Sequence, residues 1–137
     1  MLGQGVWIDS KGLKNNSRIR NILKNGTLTI GFIGLAETLK ALIGKHHGES
    51  KEAQKLGLEI ISFMRKKVDE YAEQYKLNFS LIATPAEGLS GRFTAIDKSI
   101  YGILEGITDR EYYTNSFHVP VYYPTSITHK LEVEGPY

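Results

Sequence analysis

The segment LIATPAEGLSGRF, residues 81–93, combines residue types that can hold an anion. Its apolar start is typical of a buried strand, and the Thr-Pro step followed by glycines predicts a turn with free backbone N–H groups. Thr84 and Ser90 add hydroxyl groups, and Arg92 adds a positive charge. A helix starting within this turn would attract phosphate. The alternative is a strand-ending turn with Glu87 as a first-turn acid, because the segment matches neither the P-loop nor the dinucleotide fingerprint.

A second polar cluster lies in the aromatic-rich segment YYTNSFHVPV, residues 112–121. Strand-like alternation would place Asn115 on one face and both Ser116 and His118 on the other. A histidine in such surroundings is more commonly a hydrogen-bonded core residue than a catalyst. The residue pattern alone therefore favours a structural role for His118.

The remaining candidates are weaker. His46 and His47 are adjacent, so they point in different directions on any regular element, and no further ligand follows at metal spacing. We predict a surface loop there and no metal site. Glu37 and Asp97 are single carboxylates without a partner at a recognisable spacing, and the pattern assigns them no role.

Composition limits the class of protein. The chain has 137 residues, 41% of them hydrophobic, which indicates one compact unit with a core. The net charge of +2 gives no field for nucleic acid, so no nucleic-acid partner is expected. The absence of cysteine excludes disulfides and a cysteine nucleophile and fits a reducing compartment. No segment resembles a signal peptide or a membrane span, so a cytoplasmic protein is expected.

The periodicity predicts an α/β chain with one long amphipathic helix. Residues 1–26 form an irregular lead-in, and residues 27–137 follow the order strand, helix, long helix, strand, loop, strand, strand. The long helix shows apolar residues at steps of three or four along one face. The predicted elements after the first strand are a helix at 34–43, a helix at 51–76, a strand at 77–84, an extended segment at 118–123 and a strand at 127–135.

Three segments together, TLTIGFIGLAETLKALIGKHHGES, NFSLIATPAEGLSGRF and TDREYYTNSFHVPVYYP, resemble consecutive parts of one family. They are similar to the large chain of anaerobic (class III) ribonucleoside-triphosphate reductases. The resemblance implies a ten-stranded α/β barrel of the glycyl radical enzyme type. It also implies a glycyl radical, a radical cysteine, a zinc site of four cysteines, and an activase that uses S-adenosylmethionine and an iron–sulfur cluster.

This chain lacks every cysteine of that pattern. It is therefore expected to be a partial segment of the catalytic barrel that holds no cofactor itself, supplies substrate-binding loops and is inactive alone. Its partners would be a ribonucleoside triphosphate, the remainder of the reductase chain and the activase. The resemblance implies a role in binding the substrate, its phosphates above all, for Thr84, Glu87, Gly88, Leu89 and Ser90, and less directly for Asn115 and His118.

Two other functions stay open at this point. A non-catalytic nucleotide-binding or assembly module derived from the same family would expose sheet edges and form homo-oligomers or pair with another chain. A small hydrolase would use Ser90 or Ser116 with His118, but no nucleophile-elbow pattern supports it.

Overall fold

The computed structural model describes residues 26–137, together with Gln4, Val6 and Ser10. Apart from these positions, the lead-in predicted for residues 1–26 lies outside the described residues. The described elements are two strands and four helices, in the order β1 Thr27–Phe32, α1 Leu35–Ile43, α2 Lys51–Tyr75, β2 Asn78–Ala83, α3 Glu87–Tyr101 and α4 Ile127–Glu134.

The two strands form a parallel pair, and α1 and α2 make the crossover between them. Thr27 pairs with Asn78 at one end, and Phe32 pairs with Ala83 at the other. Because the strands are parallel, their carboxyl ends meet at the same edge of the sheet. The segments that follow β1 and β2 therefore start side by side, and both lead directly into a helix.

The sequence predictions for α1 and α2 are confirmed. Gly44 ends α1 in the left-handed conformation, with φ of 76°, and its N–H bonds to the Lys40 carbonyl. Ser50 caps α2, because its side chain accepts a hydrogen bond from the Ala53 N–H at 3.1 Å. Ala53 and Val68 on the predicted apolar face are buried. Among the described helices, none is both long enough and apolar enough to cross a membrane.

The strands of the sheet are more exposed to solvent than the sequence predicts. The prediction of a strand at 77–84 is confirmed, but the prediction that it is buried is wrong for this chain. Leu28, Ile30 and Ile82 each remain 40% exposed. Such apolar runs are typical of parallel strands covered on both faces, and the described residues form a sheet of only two strands. The structure supports a partial α/β segment, while the ten-stranded barrel stays a prediction.

The predictions for the chain after β2 are wrong in three places. The loop predicted to follow β2 is largely the helix α3, Glu87–Tyr101. Residues 118–123 form turns rather than an extended segment, because His118 N–H bonds to Asn115 O at 3.1 Å and Tyr123 N–H bonds to Pro120 O at 2.9 Å. Residues 127–135, predicted as a strand, form the helix α4. Ser126 caps that helix by accepting from the His129 N–H at 3.1 Å. This cap favours a helix, whereas the apolar alternation that predicted a strand gains little, because Val133 is the one residue of the element that is buried.

The predicted surface loop at His46 and His47 is buried instead, and each histidine is only 1% exposed. His47 Nε2 lies 2.7 Å from the carbonyl oxygen of Phe117, and His46 Nδ1 accepts from the Gly48 N–H at 3.1 Å. The His46 ring also packs edge-on against Tyr123. The two histidines thus join the α1–α2 connection to the segment around Phe117.

Burial makes this connection sensitive to acid. Burial lowers the pKa of His46 to about 4, an effect that Glu49 opposes and that His47 and Lys40 strengthen. Burial lowers the pKa of His47 as well. The native histidines therefore stay neutral at pH values where the unfolded chain, with an ordinary histidine pKa of about 6.5, takes up protons.

We expect the free energy of unfolding to decrease as the pH falls from about 6.5 to about 4. His46 alone would account for about 3 kcal/mol of this loss. His46→Gln should be less stable at neutral pH but should lose less further stability over the same interval. Urea unfolding at a series of pH values measures both quantities. An identical pH dependence in wild type and variant would contradict the assignment.

Candidate functional site

The residues of the two predicted chemical stretches meet at one cavity of about 510 Å³. The cavity, called here the α3 cavity, lies between the start of α3 and residues 110–122. Glu87 and Ser90 line it from the first stretch, and Asn115 and His118 line it from the second. Four of the seven predicted site residues therefore share one cavity, although about 30 residues separate the two stretches in sequence.

The first turn of α3 offers backbone donors next to this cavity. Ala86 precedes the helix in the left-handed conformation, with φ of 45°, and no side chain caps the helix. Leu89 and Ser90 donate their N–H groups to the Ala86 carbonyl at 3.1 and 2.9 Å. The N–H groups of Glu87 and Gly88 come before these bonds and have no intrahelical acceptor. The helix dipole and these amides favour an anion at this end.

Two cations that the sequence interpretation missed line the α3 cavity. Arg110 lies flat on Tyr122, with its guanidinium carbon 3.3 Å from the ring centroid. Within residues 26–137, no carboxylate forms an ion pair with Arg110. Lys130, on α4, is the second cation. Arg92, which the sequence offered as the charge of this site, does not line the cavity.

His118 is 50% exposed, so the prediction of a core histidine is wrong. Its Nδ1 lies 3.2 Å from Glu134 Oε2. The same carboxylate accepts a hydrogen bond from the Val119 N–H at 2.8 Å. His118 is thus a partly exposed histidine held by a carboxylate at the border of the α3 cavity.

The other predicted residues lie outside the α3 cavity or have their polar atoms engaged. The Ser90 hydroxyl lines the cavity but donates to the Glu87 carbonyl at 3.2 Å. Leu89 is exposed and does not line the cavity, and Gly88 offers only its backbone. Thr84 Oγ1 is buried without a hydrogen-bond partner, close to Gly31. Thr84 therefore packs the two strand ends together rather than facing the α3 cavity.

A second cavity, of about 540 Å³, is lined by two carboxylates to which the sequence assigned no role. Glu37 is buried, and its Oε1 accepts two hydrogen bonds from Thr114, from N–H at 2.9 Å and from Oγ1 at 2.6 Å. Its Oε2 is buried and has no partner. Asp97 accepts from the Tyr113 hydroxyl at 2.7 Å. Burial and this hydrogen bond raise the pKa of Tyr113.

Thr114→Val removes the shorter of the two bonds to Glu37 while nearly keeping the side-chain shape. We expect the free energy of unfolding to fall by about 1–3 kcal/mol, because a buried carboxylate oxygen loses a donor. Thr114→Ser keeps the hydroxyl and should cost less. Urea unfolding compares the two variants, and equal losses would show that the hydroxyl bond contributes nothing.

The contact between Gly31 and Thr84 can be tested with a matched pair of glycines. A Cβ at Gly31 would overlap Thr84 Oγ1, whereas a Cβ at Gly88 meets nothing within 4 Å. We expect Gly31→Ala to cost about 1–3 kcal/mol of stability through this overlap. Gly88→Ala should be neutral or stabilise α3 by up to about 1 kcal/mol.

Adding Thr84→Ala to Gly31→Ala should restore part of the stability, since it removes the overlapping oxygen. The midpoint of urea unfolding measures all of these variants. Gly31→Ala that is as stable as Gly88→Ala would exclude the close contact.

The geometry defines a parallel α/β segment with its polar site after the carboxyl ends of the strands, and sequence comparisons identify its relatives. A family model described as "Anaerobic ribonucleoside-triphosphate reductase" matches residues 1–137. The chain belongs to this family. It is 37% identical over 128 residues to the anaerobic ribonucleoside-triphosphate reductase of Salmonella typhimurium, covering 91% of this chain and 18% of that protein.

Two further relatives with the same name give similar values. The Escherichia coli protein is 36% identical over 128 residues, again with 91% and 18% coverage. The protein of Enterobacteria phage T4 is 35% identical over 127 residues, with 91% and 19% coverage. The chain therefore spans about a fifth of the length of these relatives, and it corresponds to a fragment of them.

The metal that the resemblance implies does not fit the residues of this segment. The sequence contains no cysteine, so it supplies none of the four cysteines of a zinc site. In the described part of the chain, no group of three His, Cys, Asp or Glu residues is arranged to hold a metal ion.

Proposed function

We propose that the chain is part of an enzyme that converts ribonucleoside triphosphates to deoxyribonucleotides by radical chemistry. Its own contribution is a binding site for the substrate's phosphates at the α3 cavity. The observation that carries this proposal is the convergence of an uncapped helix start, Arg110 and Lys130 on one cavity. Its volume of about 510 Å³ lies within the usual range for small-molecule sites.

The charges around the cavity favour a nucleotide over a simple anion. Glu87 and Glu111 also line the α3 cavity, and Lys130 pairs with Glu134 at 3.6 Å, so the positive charges of the site are offset by carboxylates. Affinity must therefore come from directed hydrogen bonds rather than from net charge. Guanidinium and amide N–H groups suit phosphate oxygens, whereas carboxylates accept from hydroxyl groups. A ribonucleotide presents both kinds of group.

Glu37 is a further group of this segment that could contact the substrate. Thr114 fixes one carboxylate oxygen, and the other is buried beside the second cavity without a partner. In the whole enzyme, this oxygen would be free to accept a hydrogen bond from a hydroxyl group of the substrate.

The segment requires the remainder of the reductase for activity and is inactive alone. The radical cysteine, the glycyl radical and the zinc site would lie elsewhere in the parent protein, which would be cytoplasmic and would need the activase. The exposed apolar residues Leu28, Ile30 and Ile82 support this dependence, because the missing strands of a larger barrel would cover them. They equally support the alternative of an assembly module that pairs with another chain or with its own copy.

Arg110→Gln tests the phosphate site in the full-length reductase that carries this segment. We expect the affinity for CTP to fall by about 10- to 100-fold, since one charged donor to phosphate is lost. Arg65→Gln is the matched control, because Arg65 lies on α2 and pairs with Asp69 at 3.2 Å. Isothermal titration calorimetry measures both, and equal affinities in the two variants would overturn the proposal.

A further inference from the structure

The helix α4 brings a carboxylate to His118, a residue that lines the α3 cavity, and no sequence pattern indicated this contact. Glu134, near its C-terminal end, places Oε2 3.2 Å from Nδ1 of His118. Only 14% of the Glu134 side chain is exposed. The sequence predicts a strand in place of α4 and a core position for His118, so it gives no sign of this contact.

The position of Glu134 is fixed independently of His118. Its Oε1 accepts a hydrogen bond from the Val119 N–H at 2.8 Å. The helix itself is docked by Gln54, whose side-chain amide donates to the Val133 carbonyl at 3.1 Å. His129 Nε2 lies 3.0 Å from the carbonyl oxygen of Gly48. Exposed ion pairs usually contribute little because both partners move, but here the carboxylate is anchored to the backbone.

The anchored carboxylate determines which ring nitrogen of His118 remains for a ligand. A carboxylate accepts, so the nitrogen next to it, Nδ1, carries a proton. Nε2 is then the ring nitrogen left for the α3 cavity, which His118 lines. Nε2 of a charged His118 would donate to an anionic oxygen, and Nε2 of a neutral ring would accept from a hydroxyl group.

We propose that Glu134 is a positioning residue that holds His118 so that the doubly protonated ring donates from Nε2 to a phosphate oxygen of the nucleotide. The inference rests on the proposed function of the α3 cavity. The titratable and charged groups around His118 are Glu134 and Lys130 from α4, the neutral His47 from the α1–α2 connection, and Glu87, Arg110 and Glu111 around the cavity. Of these, Glu134 is the one in direct contact with the ring.

A double-mutant cycle in the full-length reductase tests whether Glu134 acts through His118. We expect His118→Ala to weaken CTP binding by about 10-fold and Glu134→Gln to weaken it by about 3- to 10-fold. If Glu134 acts only through His118, the double variant should bind as His118→Ala does. Multiplied losses in the double variant would show that Glu134 acts separately and would overturn the proposal.

Two further variants keep the result interpretable. Glu134→Asp retains the charge but shortens the side chain, so it should also weaken binding if contact with His118 matters. Glu132→Gln removes the same charge from the same helix, at a residue that lines a different cavity, and should leave affinity unchanged. An unchanged affinity in Glu134→Asp and Glu134→Gln, with Arg110→Gln still weakened, would overturn the positioning role and leave the phosphate site intact. Unchanged affinity in all of these variants would overturn both.

Discussion

The pair of hydrogen bonds from Thr114 to the buried carboxylate of Glu37 is the constraint on which the rest of the site depends. A buried carboxylate is costly unless donors surround it, so this pair fixes residue 114 against the first turn of α1. Two backbone bonds continue the attachment, from the Gly34 N–H to the Thr114 carbonyl at 2.7 Å and from the Leu35 N–H to the Ser116 carbonyl at 3.3 Å. These bonds hold residues 114–116 in place, although the segment 113–119 forms neither a helix nor a strand.

Three further contacts attach the rest of that segment. Tyr113 reaches Asp97 on α3, the Phe117 carbonyl reaches the buried His47, and Val119 N–H reaches Glu134 on α4. Residues 113–119 therefore connect both halves of the crossover to the last two helices without forming a strand. Because several residues of this segment are fixed by hydrogen bonds, its exposed side chains, among them His118, have defined positions at the cavity.

The sequence predicted the parts of this structure that local pattern decides. Helical spacing and the Ser50 cap specify α2, and the apolar run before Pro85 specifies β2. The sequence analysis did not predict the features that depend on contacts between residues distant in the chain. Burial of His46 depends on residues about 70 positions away, and α4 is helical because one cap and one buried valine outweigh a short alternation. Arg110 was missed because its role comes from stacking on Tyr122, which no spacing rule describes.

The same distinction explains why the site is better defined than the sheet beside it. In the described part of the chain the sheet has two strands, and several of their apolar residues are exposed, so its faces are only partly covered. The α3 cavity, in contrast, is built from a helix end, a stacked arginine and an irregular segment whose backbone bonds lie within residues 26–137. Several of the contacts that fix this segment join residues distant in sequence, such as Thr114 with Glu37, and the two polar stretches therefore meet only in the fold.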